Sequence, residues 1–222
     1  MTYRLITIIA FIAIFPTFQG CNQGPKGPTV RASSNPWFAA AASNNTQELA
    51  SAASSGADVN AHISRDYNTP LHIAAIDGNT EAVRVLLANG ADPDVIQEDS
   101  RTPLLMACHR SNTPAALLLI DAGADLEIRD RQSQTAIMFA ANKGELAIVE
   151  DMIKHGVNLD AQRHDGWTAM HLAAREGNTD VVQALKNAGA STTIKDRRGR
   201  SPVDVARQRG RTNIVAIMSG SP

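Results

Sequence analysis

The chain has 222 residues, of which 43% are hydrophobic, 19% charged and only 4% aromatic, and its formal net charge is −1. That length buries a substantial core, but so few aromatics among so many Ala and Leu favour stacked small helices over a sandwich or barrel. The near-zero charge excludes the global basic field with which proteins hold nucleic acid.

The first element is an apolar run, Leu5 to Phe18, which follows Arg4, is broken only by Thr7 and Pro16-Thr17, and ends at Gln19-Gly20-Cys21. It is shorter than the roughly 20 residues of a membrane span and suits the apolar region of an export signal. Gly20 before Cys21 resembles a bacterial lipobox, which implies that Cys21 is lipidated and becomes the mature N-terminus. Phe18 and Gln19 depart from the Leu and small residue usual there, which leaves ordinary signal cleavage or a retained anchor as alternatives. Residues 1–20 are read as the signal peptide, 21–35 as a Gly/Pro/Ser-rich flexible tether, and 36–220 as one folded domain. Asn22 after the cysteine, by resemblance to the sorting of such lipoproteins, implies the periplasmic side of the outer membrane.

Beyond the tether a segment returns at a fixed interval. Thr69-Pro70, Thr102-Pro103, Thr135-Ala136, Thr168-Ala169 and Ser201-Pro202 stand 33 residues apart, and Gly90, Gly123, Gly156 and Gly189 run in phase with them. In the clearest unit Thr69 reads as an N-cap and Pro70 as the first helical residue, where its missing N–H costs nothing. A short helix over Leu71–Ile76 ends at Asp77-Gly78-Asn79. A second runs from Thr80 to about Asn89, with Val83, Leu86 and Leu87 on one face and Glu81 and Arg84 outside, and stops at Gly90. A polar link then leads to the next Thr-Pro.

Thr69-Pro70-Leu71-His72-Ile73-Ala74-Ala75, closed by Gly90-Ala91-Asp92, resembles the ankyrin repeat family in full. The resemblance implies an all-α solenoid of about six helix-turn-helix units joined by β-hairpin fingers. The first unit keeps Gly56-Ala57-Asp58 but shows Asn35-Pro36-Trp37-Phe38 in place of the tetrapeptide, and the last has Ser201-Pro202-Val203-Asp204; both suit end caps. In the third unit Ser111 replaces the helix-breaking glycine, which predicts a locally altered loop.

No nucleophile elbow, zinc-protease helix, phosphate loop or C-x-x-C occurs, and no cofactor or small-molecule substrate is implied. His72 and His171 are the fourth residues of Thr-Pro-Leu-His-like segments, where the resemblance implies hydrogen bonds within the fold. His164-Asp165 falls at a finger tip with no neighbouring nucleophile. Cys108 takes the place of Ala75 and Ala174 and reads as a small buried hydrophobe. If Cys21 carries lipid, no disulfide forms within the chain.

The architecture offers binding instead. The resemblance implies a concave surface built from the fingers and the ends of the first helices. Its helix candidates are Ile76, Asp77, His109, Arg110, Asn142, Lys143, Arg175, Glu176, Gln208 and Arg209; its finger candidates are Arg65, Tyr67, Arg131, Arg163, Trp167 and Arg198. Trp, Tyr and Arg most often dominate interfaces. Trp167 is either an anchor or packing for the next finger, whereas Tyr67 occupies a place that usually holds glycine. Residues 21–194 carry 13 Lys/Arg against 20 Asp/Glu, and 195–222 carry 7 against 2, so a basic tip ends an acidic body. The tip is a solvated cap, a dock for an acidic protein or a contact for anionic lipid. The expected function is non-enzymatic binding of a protein partner in the periplasm, without nucleic acid, with membrane attachment through the N-terminal lipid. Neutralisation of a toxic enzyme and a role in oxidative-stress protection are the alternatives.

Overall fold

Among the described residues six helix pairs follow one another, and in five of them a side chain caps the start of the first helix; Thr135, at that place in the fourth pair, makes no such bond. The computed structural model describes residues 29–31, 34–63 and 66–220; the expected signal peptide, Cys21, most of the tether and Arg65 lie outside the described residues. The pairs are α1 (Pro36–Ser43) with α2 (Thr46–Ser54), α3 (Pro70–Asp77) with α4 (Thr80–Ala88), and α5 (Pro103–His109) with α6 (Thr113–Asp121). They continue as α7 (Ala136–Lys143) with α8 (Leu146–Lys154), α9 (Ala169–Glu176) with α10 (Thr179–Asn187), and α11 (Pro202–Gln208) with α12 (Thr212–Ser219). The first helices pack in succession as one layer and the second helices as another. Two short strands, β1 (Thr29–Val30) and β2 (His62–Ile63), pair in parallel, so the end of the stretch read as a tether lies along the first finger.

The caps carry out the chemistry that the sequence requires. Thr69 Oγ1 accepts the His72 N–H at 3.4 Å while His72 Nδ1 accepts the Thr69 N–H at 3.2 Å. Thr168 and His171 repeat this reciprocal pair, and Ser201 with Asp204 forms its carboxylate version. Such a box satisfies two donors that a helix start would otherwise orphan. Between the layers the first helices contribute small residues, Ala74, Ala75, Ala107, Ala140, Ala141, Ala173 and Ala174, all without exposed surface. Cys108 is equally buried in the same register. Small side chains let the helices approach closely, so that Leu86, Leu119, Ile148, Met152 and Leu185 of the second layer are fully enclosed.

Four of the junctions between adjacent units are stitched by a polar residue at the start of the later unit's second helix; at α8 that place holds Glu145, which instead accepts from Thr113 Oγ1. Asn112 Nδ2 donates to the carbonyls of Ala75 (2.8 Å) and Ile76 (2.9 Å), closing the unpaired end of the preceding first helix. Asn79 does the same for Ala41 and Ala42, Asn178 for Ala141 and Asn142, and Arg211 for Glu176. Gly78 shows how tightly the stitch fits: it is left-handed (φ +73°), and a Cβ there would meet Asn112 Oδ1 at 2.8 Å. This role was invisible in the single unit, because its hydrogen bonds reach 36 to 38 residues back along the chain.

The altered loop expected in the third unit is met in part: α5 ends at His109, one residue short of the matching end of α3, and the Ser111 N–H bonds the Cys108 carbonyl, whereas the Gly78 N–H bonds that of Ala74 four residues back. Ser111 adopts φ 61°, the left-handed conformation of Gly78 and Gly144, and the Asn112 N–H still bonds the Ala107 carbonyl at 2.9 Å, as Asn79 bonds Ala74. The stitch to Ala75 and Ile76 holds the loop in shape against the preference of serine. Relief of that strain by Ser111→Gly should stabilise the array by about 0.5–1 kcal/mol, measured as a shift in urea midpoint. A destabilised variant would contradict this.

Candidate functional site

Five hairpin turns lead into α3, α5, α7, α9 and α11. Each closes on two short-range backbone bonds, one of which runs from Ile63 N–H to Asn68 O, Gln97 to Arg101, Asp130 to Gln134, Arg163 to Trp167 or Asp196 to Arg200. Successive turns are joined by single backbone bonds, such as Glu98 N–H to Asp66 O and Arg131 N–H to Asp99 O. The fingers and the ends of the first helices share one face, because side chains from both meet on the same rings. Arg101 at a finger base lies 5.6 Å from the Phe139 ring centroid, and His109 at the end of α5 packs edge-on against the same ring at 5.4 Å.

Trp167 sits in the largest such cluster. The guanidinium groups of Arg163, Arg175 and Arg200 lie 5.2, 5.1 and 5.5 Å from its ring, and the His171 ring is 5.7 Å away. Its Nε1–H donates to Asp196 Oδ2 at 3.0 Å. Only 7% of Trp167 is exposed. As a surface anchor for a partner Trp167 is therefore corrected: its indole is spent on pinning one finger to the next. Asp196 holds that pin as a carboxylate. Burial opposes its ionisation, but the Arg200 backbone N–H, the Arg200 guanidinium and the Arg198 N–H outweigh it and bring its pKa to about 2. The sequence reading missed Asp196, Arg200, Arg101 and Phe139; the signal was Asp130 and Asp196 recurring at one finger position.

The remaining candidates divide by what occupies them. Arg163 clasps Asp165 bidentately at 2.7 Å, Arg175 binds Glu176 at 2.6 Å and Asn142 at 2.7 Å, and exposed Arg131 pairs with Asp99 at 3.3 Å. Asp77, Arg110, Lys143, Arg198, Gln208 and Arg209 are exposed, Ile76 and His109 half-buried. His164 is exposed, and its neighbour Asp165 belongs to the Arg163 pair. Burial, and then the charges of Arg101, Lys143 and Arg110, hold His109 below the usual histidine range.

Tyr67 stands out among the finger tips. It is 42% exposed, the large apolar side chain left open among the described residues, and its backbone is left-handed at φ 56°. The matching positions hold Ser100, Ser133, Gly166 and Gly199, with φ between 57° and 85°. A bulky residue in that region is strained. One edge of its ring rests near His62, at 5.3 Å between centroids.

Chemistry of other kinds finds little material. Burial pushes the Cys108 thiol up to about 12, which keeps it from forming a reactive thiolate. Among the described residues no three His, Cys, Asp or Glu side chains converge to hold a metal ion, and no helix is long and apolar enough to cross a membrane.

Comparison with known proteins agrees with this geometry. A family model described as ankyrin repeats (3 copies) matches residues 37–130 and 137–220. A segment of 56 residues is 50% identical to the mitochondrial disaggregase of Bos taurus, covering 25% of this chain and 8% of that protein. The chain thus spans less than a tenth of that relative's length. With six helix pairs among the described residues and two matches that together cover most of its length, this chain belongs to the ankyrin repeat family, whose arrays are protein–protein interaction modules.

Proposed function

We propose that this chain is an exported binding module without catalytic activity, held at the periplasmic side of the outer membrane by lipid on Cys21, which takes a protein partner on its finger face. The observation that carries the reading is Tyr67. Its left-handed backbone costs about 1–2 kcal/mol that glycine, which fills the matching place in two later fingers, would not, yet 42% of the residue remains in water. Folding gains little from such a side chain, whereas an interface gains a rigid, amphipathic anchor. The apolar run before Gly20-Cys21 supports the address.

Affinity capture from the native envelope with the full chain, compared with Tyr67→Ser, tests the reading. Ser100 and Ser133 already hold the same conformation, so the variant keeps the fold. Partner affinity should fall at least tenfold, the effect of losing an anchor worth about 1.4 kcal/mol or more. Equal retention by both chains would contradict the reading. Loss of lipid and of membrane attachment in the Cys21→Ser chain tests the address separately; a variant that stays on the membrane would contradict it.

A further inference from the structure

Several cations on the finger face are already occupied. Arg101 pairs with Asp130, Arg163 with Asp165, Arg175 with Glu176 and Arg200 with Asp196. Like Arg198 and Arg209, Arg110 and Lys143 are exposed, and neither of these two side chains has an ion pair or hydrogen bond among the described residues. They hold the same position in consecutive units, at the ends of α5 and α7, which pack directly against each other. One helix spacing, about 10 Å, therefore separates their backbones. An extended chain in the polyproline II form, with three residues per turn and about 3.1 Å per residue, sets side chains three positions apart on one face about 9 Å from each other.

We propose that the face formed by α5 and α7 receives an extended acidic segment of a partner protein, whose carboxylates, spaced three residues apart, engage Arg110 and Lys143. The proposal rests on the interaction reading above and names the chemistry of that partner. The strip is bounded on both sides. In the preceding unit the equivalent position is the exposed acid Asp77, and in the following one it is Glu176, turned onto Arg175 at 2.6 Å. A short acidic peptide matches a strip of two open cations framed by carboxylates; a nucleic-acid strand or an anionic membrane, with its continuous negative charge, meets Asp77 and Glu176 as repulsion. His109 beside them is depressed by burial and by the charges of Arg101, Lys143 and Arg110, in keeping with a locally positive field on a body that is acidic overall.

The test is a titration of the full chain, by fluorescence anisotropy at low salt, with a short labelled peptide carrying Glu at every third position between Gly and Ser. Saturable binding is expected. It should weaken by at least about tenfold in the Arg110→Glu, Lys143→Glu double variant, because charge-assisted contacts become repulsions. Arg84→Glu with Lys154→Glu makes the same net change on α4 and α8, where both residues are exposed, and should leave binding intact. Both variants alter exposed residues, and matching unfolding midpoints confirm that the array is folded. Absence of binding, equal weakening by the two double variants, or preference for an oligothymidylate over the Glu peptide would each overturn the proposal. If the envelope partner is captured in a Tyr67-dependent way but is indifferent to Arg110 and Lys143, the acidic segment falls and the interaction reading stands.

Discussion

Replacing Trp167 by alanine should cost about 3–5 kcal/mol of stability, the range for removal of a buried aromatic. The ring is 7% exposed and closes the joint between the fourth and fifth fingers. Its loss leaves Asp196 Oδ2 without the indole donor and uncovers the arginine planes of Arg163, Arg175 and Arg200. Because units of a solenoid contact only their neighbours, the damage should concentrate at the C-terminal units. Urea denaturation followed by circular dichroism reads the total. Trp37, buried at 2% in the first unit, remains as a fluorescent reporter of the other end. An early loss of helix with the Trp37 transition little changed is the expected pattern. A loss of under about 1 kcal/mol, with partner binding abolished instead, would return Trp167 to the role of a surface anchor.

Acid should destabilise the array from the upper side of the histidine range downward. His72 has no exposed surface; Nδ1 accepts from Thr69 N–H, and Nε2 lies 3.1 Å from the Arg101 carbonyl, so the ring is neutral with its proton on Nε2. Burial lowers its pKa to about 4, against the opposing pull of the backbone carbonyls. Below about pH 6.5 the unfolded chain binds a proton that the folded chain refuses. Stability is therefore full above the unfolded value, falls by about 1.4 kcal/mol per pH unit, and levels off below about pH 4, a total near 3 kcal/mol from this residue. His171, buried in the same cap and lowered first by desolvation, adds to the loss in the same direction. Unfolding free energies measured between pH 7 and 4.5 should slope accordingly, and His72→Gln should remove the His72 share of that slope. A flat profile would show that the buried imidazoles protonate without cost.

The sequence showed most clearly whatever is decided within a few residues. Thr69-Pro70 and Gly90 declare a helix start and stop through their own backbone chemistry, so six pairs and their boundaries could be read to within a residue or two. The left-handed place of Tyr67 was legible for the same reason, since neighbouring units carry Ser or Gly there. What crosses between units was not. The stitch made by Asn112 could not be read, because its partners, Ala75 and Ile76, lie a full repeat away. The same distance hid the burial of Trp167, fixed by Asp196 from the next finger, and the restraint that keeps Ser111 in a glycine conformation. The candidate residues differ in what already occupies them. Arg163 and Arg175 are held by internal carboxylates, while Arg110 and Lys143 are open.

Site-specific photocrosslinking tests most directly whether the finger face is where a partner binds. A benzophenone amino acid placed at Tyr67, and in a second chain at Arg84 on the exposed side of α4, is irradiated in the native envelope. A discrete protein adduct from position 67 and none from position 84 is the predicted result. An adduct from position 84 alone would place the partner on the second-helix layer and contradict the account.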